Sequence, residues 1–162
     1  PSGRLPVTFY RSVADLPPFE NYDMLGRTYR YYRGPVLYPF GHGLSYTTFR
    51  HGKLRLSAPR SGEPVTVTVD VANTGKVAGA EVVQFYIVPP DPEADGLVKQ
   101  LAAFKRVTLK PGQTTTVKVS LPESAFARYH EASNAVNVAA GAYEIQAGAS
   151  SADIRAKATV QR

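Results

Sequence analysis

The 162-residue chain has no cysteine and no tryptophan, one methionine and three histidines. Without cysteine there can be no disulfide framework, no thiolate metal site and no cysteine nucleophile. That absence leaves the cellular compartment open. None of His42, His51 and His130 has a second histidine at ligand spacing, so no zinc site is expected. No run of 18 apolar residues is present, so no membrane-spanning segment is expected. Pro1-Ser2-Gly3-Arg4 has no apolar segment behind its charge, so it is not a signal peptide. Any export signal is expected upstream. The G-x-S-x-G elbow is missing, because Gly43-Leu44-Ser45-Tyr46 lacks the second glycine. Gly41-His42-Gly43 supplies only G-x-G and opens no helix, and no phosphate-cradling G-x-x-x-x-G-K occurs.

Charge of one sign is also never concentrated. The net charge is +6. Residues 1–50 hold six arginines against three acids, and residues 51–162 hold thirteen bases against ten acids, so each part carries +3. The longest basic run is the pair Lys105-Arg106. Nucleic-acid binding needs a basic patch, and none is legible, so no nucleic-acid partner is expected. Asp91, Glu93 and Asp95 share one proline-containing loop and read as solvated charge, with weak calcium binding as the alternative. No metal or cofactor is expected.

What is present falls into two regions. Residues 1–50 hold seven of the ten tyrosines and six of the thirteen prolines. No helical period is readable there, and a short strand is predicted over Leu5–Tyr10. Pro17-Pro18 and Gly34-Pro35 punctuate the rest. So aromatic a segment with so little regular structure reads as an arm laid across another surface, or folded back on its own domain.

Residues 51–162 alternate. Leu54 and Leu56, then Val65, Val67, Val69 and Val71, interleave with polar residues, as half-buried strands do. Glu81–Val88 is apolar on both faces and reads as a central strand covered twice. Gln100–Leu109 is predicted as a strand with a bulge. Val117 to Leu121, Tyr143 to Ala147 and Ile154 to Val160 complete the set. Pro122–Gly141 does not alternate, and Glu123–Ala132 is read as one short helical turn. Turn chemistry sits at Asn73-Thr74-Gly75 and Lys110-Pro111-Gly112-Gln113. Seven short strands at this spacing predict an all-β, immunoglobulin-like two-sheet sandwich with an extended, largely irregular N-terminal arm. Lacking the Cys…Trp…Cys mark of antibody domains, it should be the fibronectin III-like variety.

Two stretches carry a resemblance. Pro1-Ser2-Gly3-Arg4-Leu5-Pro6-Val7-Thr8-Phe9 resembles the end of the α/β sandwich domain of glycoside hydrolase family 3. Gly26-Arg27-Thr28-Tyr29-Arg30-Tyr31-Tyr32, with Pro39-Phe40-Gly41-His42-Gly43-Leu44-Ser45-Tyr46-Thr47-Thr48-Phe49, resembles that family's linker into its fibronectin III-like domain. The Gly26–Tyr32 wording is closer to β-xylosidase-type than to β-glucosidase-type members. The resemblance implies residues 1–50 as the end of the preceding domain plus a linker arm, and 51–162 as the sandwich.

The family's activity is retaining hydrolysis of terminal, non-reducing β-glucosyl or β-xylosyl residues. Its nucleophilic Asp lies in a barrel domain and its acid/base Glu in the α/β sandwich domain. Neither motif has a match here, so no catalytic residue is expected in this chain. Such chemistry needs two carboxylates at a set separation. The acids here read as strand-face and loop charge. The expected partners are the barrel and α/β domains of a periplasmic or secreted parent enzyme. Polysaccharide and arm-mediated self-association are further candidates. Arg27, Tyr29, Arg30, Tyr31, Tyr38, Phe40, His42 and Tyr46 are the candidate contacts, either as interdomain packing or at the rim of the sugar site. Arg33 is expected to pack with them, since guanidinium planes stack well on aromatic rings.

Overall fold

A computed structural model describes residues 1–57, 62–92, 96–130 and 134–162. Two four-stranded antiparallel sheets face each other. In the first, β3 (Phe49–His51) and β4 (Arg55–Leu56) lie along one side of β5 (Val65–Asn73), and β8 (Thr114–Leu121) lies along the other. The second runs in the order β12 (Ile154–Gln161), β11 (Ala142–Gly148), β6 (Gly79–Val88), β7 (Gln100–Leu109). This is the predicted sandwich. Strand β3 crosses the expected boundary at residue 50.

Alternation in the sequence decides which side chains face inward. Val65, Val67, Val69 and Val71 are all fully buried and meet Val83, Phe85 and Ile87 of β6 across the core. Each such side chain contributes about 1.5–3 kcal/mol of hydrophobic stabilisation, as an upper bound. Phe126 packs edge-on against Tyr143, with centroids 5.3 Å apart, and Arg162 covers it at 4.6 Å. The predicted bulge in β7 falls at Ala102: Leu101 pairs with Tyr86 and Ala103 with Phe85, leaving one residue over.

Three local expectations are corrected. The strand over Leu5–Tyr10 shrinks to β1 (Phe9–Tyr10), which pairs with β2 (Val36–Tyr38) inside the arm itself. Pro6 has no N–H for a ladder, which explains the late start. One helical turn, α1 (Thr28–Tyr31), forms where no helical period was legible. The turn expected over Glu123–Ala132 is a 3-10 turn at Glu123–Ala125 only. It gives way to β9 (Arg128–His130), paired with β10 (Ala135–Asn137). Glu93 and Asp95 of the acidic loop lie outside the described residues, as do residues 131–133. Among the described residues, no helix is long and apolar enough to cross a membrane.

Candidate functional site

The outward face of β6 carries Val82, Gln84 and Tyr86, all buried although they point away from the core. The arm covers them. This is the second cover that the two-faced apolar pattern of β6 required. Tyr29 stacks on Phe40 with centroids 4.2 Å apart and meets Tyr86 edge-on at 5.9 Å. The Tyr29 hydroxyl accepts from the Leu101 amide at 3.0 Å, and the Arg30 carbonyl accepts from the Val98 amide at 2.6 Å. The Phe40 carbonyl accepts from the Ser151 amide at 2.9 Å. Burial pushes the Tyr29 and Tyr86 hydroxyls above the ordinary phenol value, so both stay protonated at neutral pH.

Gln84 is the polar centre of this seam. Its Nε2 donates to the carbonyls of Gly41 at 3.0 Å and Ala149 at 2.7 Å, and its Oε1 accepts from the Tyr86 hydroxyl at 2.5 Å. One side chain therefore ties the arm, the outward face of β6 and the turn after β11. Gly41 sits at φ +80°, and a Cβ there would run into the Gln84 amide. Lys99 donates from Nζ to Gln146 Oε1 at 2.8 Å and to the Ser151 carbonyl at 3.1 Å. Burial pulls its pKa below the usual lysine value. Thr28 holds φ 55°, an unfavourable value for a β-branched residue, and its amide donates to the Tyr10 hydroxyl at 2.7 Å.

A second cluster lies where the arm's first residues cross the end of the sandwich. Arg4 approaches buried Glu81 at 3.7 Å. The fully buried His51 imidazole stands 4.0 Å from the same carboxylate. Among the described residues, neither ring nitrogen of His51 has a hydrogen-bond partner. Burial, helped by Arg155, lowers the His51 pKa to about 4 against the pull of Asp153. His51 is therefore neutral at pH 7, and its approach to Glu81 is no ion pair there. Burial raises the Glu81 pKa, while Arg4 and Arg155 oppose the rise. Asp153 is held by Arg155 through two hydrogen bonds, 2.7 and 3.0 Å, which keep its carboxyl below the usual range.

Glu81 and Asp153 line one cleft of about 330 Å³. Each is matched by a guanidinium. A retaining glycosidase needs one carboxylate free to attack and another to shuttle a proton. Of the two pairs, Arg4–Glu81 joins the arm to the sandwich, and Asp153–Arg155 lies within the sandwich.

The expected contact residues divide. Tyr29, Arg30, Tyr31 and Phe40 come together in the seam: Arg30 reaches Gln100 Oε1 at 3.3 Å and lies 5.5 Å over the Tyr31 ring. Arg27 closes its own loop, donating to the carbonyls of Asp23 at 3.0 Å and Asn21. Arg33 donates to the Pro92 carbonyl at 3.1 Å. The part of the arm around these residues folds back on its own sandwich, because Tyr86 and Gln84 would otherwise be left in water. Tyr38 stacks with His42 at 5.3 Å and stays half-exposed, while Tyr46 is 86% exposed. Residues 13–22 turn the other way: Val13, Phe19 and Tyr22 are 84%, 89% and 88% exposed and line one apolar concavity. Sequence reasoning missed Glu81, Gln84, His51 and Lys99. For Glu81 and Gln84 the available signal was a polar residue set inside the apolar run of β6; His51 and Lys99 carried no such signal.

Comparison with known proteins adds three findings. The family "Fibronectin type III-like domain" matches residues 81–151. A xylan 1,4-β-xylosidase of Xylanibacter ruminicola is 42% identical over 154 residues, covering 94% of this chain and 18% of that protein. β-Glucosidase 3B of Thermotoga neapolitana, solved with α-D-glucose, superposes with TM-score 0.88 at 36% identity, covering 99% of this chain and 24% of that one. The chain thus spans under a quarter of the length of either relative.

Proposed function

The chain belongs to the fibronectin type III-like domains carried by glycoside hydrolase family 3 β-glucosidases and β-xylosidases, and from that premise we propose that it is the non-catalytic C-terminal accessory domain of such an enzyme. In this reading residues 1–50 close the preceding α/β domain and link it to the sandwich at 51–162. The sandwich is an anchor, and the arm is the connector to the barrel and α/β domains. The parent would remove terminal β-glucosyl or β-xylosyl units and supply both catalytic carboxylates.

One observation carries this reading. Val13, Phe19 and Tyr22 expose an apolar concavity on a segment whose continuation is pinned to a fully packed sandwich. Large exposed aromatic clusters of this kind mark contact surfaces. The half-exposed Tyr38–His42 stack is a further contact in this reading.

The test uses the parent enzyme carrying Phe19→Ser and Tyr22→Ser. Its half-life on heating should shorten severalfold, while the 162-residue chain with the same changes melts within about 1 °C of the unaltered chain. Unchanged half-life in the parent refutes the docking role. The isolated chain should not hydrolyse aryl β-glucosides or β-xylosides. Turnover that survives purification and disappears on Glu81→Gln or Asp153→Asn overturns the accessory assignment.

A further inference from the structure

Strand β7 presents a row of side chains that neither the core nor the arm seam consumes. Phe104, Arg106 and Thr108 lie opposite Gln84, Val82 and Ala80 of β6, on one outward face. At the strand repeat they span about 14 Å. Phe104 is 65% exposed, and Arg106 is exposed beside it. Two grooves meet at Arg106. The first, about 430 Å³, has an apolar floor of Val82, Leu101 and Phe40, with Phe104 as a wall. The second, about 290 Å³, runs past Thr108 to Tyr46, which is 86% exposed. A guanidinium therefore stands between two exposed aromatic rings. Its Nε donates to Ser2 Oγ at 3.2 Å, and no hydrogen bond of its terminal nitrogens occurs among the described residues.

We propose that this double groove binds an oligosaccharide bearing a carboxylate substituent, a uronic acid. The C–H faces of the sugar rings lie on Phe104 and Tyr46, and the carboxylate takes the planar fork of Arg106. A guanidinium pairs with a carboxylate through two parallel hydrogen bonds, which a hydroxyl cannot match. Arg4, the other cation on the first groove, is already committed to Glu81. One carboxylate therefore satisfies the charge, and a polyanion has no second guanidinium to engage. The inference is independent of the accessory role, since its groove shares no residue with the concavity at Val13, Phe19 and Tyr22.

The test is calorimetric titration of the 162-residue chain, at physiological salt, with two probes. One is a xylo-oligosaccharide carrying a single glucuronic acid branch, the other the unbranched oligosaccharide of equal length. The branched probe should bind about tenfold tighter or more. Arg106→Gln should erase that preference, and Arg106→Lys should retain only a minor part of it. Phe104→Ala and Tyr46→Ala should each weaken both probes severalfold without lowering the melting temperature, as both rings are exposed. Equal affinity for the two probes overturns the proposal, as does binding of neither. So does a preference that survives Arg106→Gln, or binding that Phe104→Ala and Tyr46→Ala leave undiminished and that vanishes at high salt, since the latter is only the diffuse attraction of a +6 chain.

Discussion

Acidifying the protein from pH 7.5 to pH 5 tests the buried cluster beneath the arm. An unfolded His51 has the ordinary imidazole value of 6.5, whereas the folded side chain titrates at about 4. At pH 5 the unfolded chain therefore carries roughly nine-tenths of a proton more on this side chain. A group whose folded pKa is depressed by burial of its charged form stabilises the fold above its unfolded pKa. That stability drains away as the pH falls toward the folded value. Over this window the loss integrates to about 2 kcal/mol. For a domain of this size it lowers the melting temperature by about 4–8 °C.

Glu81 works in the opposite sense. Its folded pKa is raised, so the folded protein takes up that proton first and gains stability as the pH falls through the raised value. The wild-type slope is the His51 loss less the Glu81 gain. Asp70 and Asp153 are held low by hydrogen bonds from Arg55 and Arg155, so their contributions vanish only below the window. Thermal melting at the two pH values should give the steepest acid loss in Glu81→Gln. Removing the imidazole from that background as well, with His51→Leu, should recover the 4–8 °C. A double variant with the same pH dependence as Glu81→Gln refutes the burial argument for His51.

Three further outcomes follow from the packing. Gln84→Leu strands the Gly41 and Ala149 carbonyls and the Tyr86 hydroxyl. It should cost about 2–4 kcal/mol in urea unfolding and speed hydrogen exchange at the Gly41 amide, and a cost below about 0.5 kcal/mol contradicts the seam as described. Gly41→Ala forces a Cβ against Gln84 at a positive φ, so it should destabilise by about 1–3 kcal/mol, read from the melting temperature. Phe126→Ala empties a fully buried position and should cost about 3–5 kcal/mol in the same urea assay.

The sequence alone determined the sandwich, and the reason is local. The valines of β5 alternate with Thr66, Thr68 and Asp70, so period two and branching at Cβ already state which face is inside. The same holds for the presence of a bulge in β7, whereas its place at Ala102 was given by the pairing with β6. The expectation that no catalytic residue lies in this chain rests on motif chemistry alone. The family resemblance depended on the wording of residues 26–49.

Only the tertiary structure decided what the arm does. The arm has no periodicity, because its order comes from single long-range contacts and not from a repeating ladder. Tyr29 meets Phe40 and Tyr86, and Gln84 reaches Gly41 from 43 residues away. No local periodicity says that Tyr29 is clamped while Tyr22 is 88% exposed. The buried His51, 30 residues before Glu81, shows the same limit. A charge becomes informative only when folding removes it from water, and the partner that decides its pKa is brought by topology, not by sequence neighbourhood.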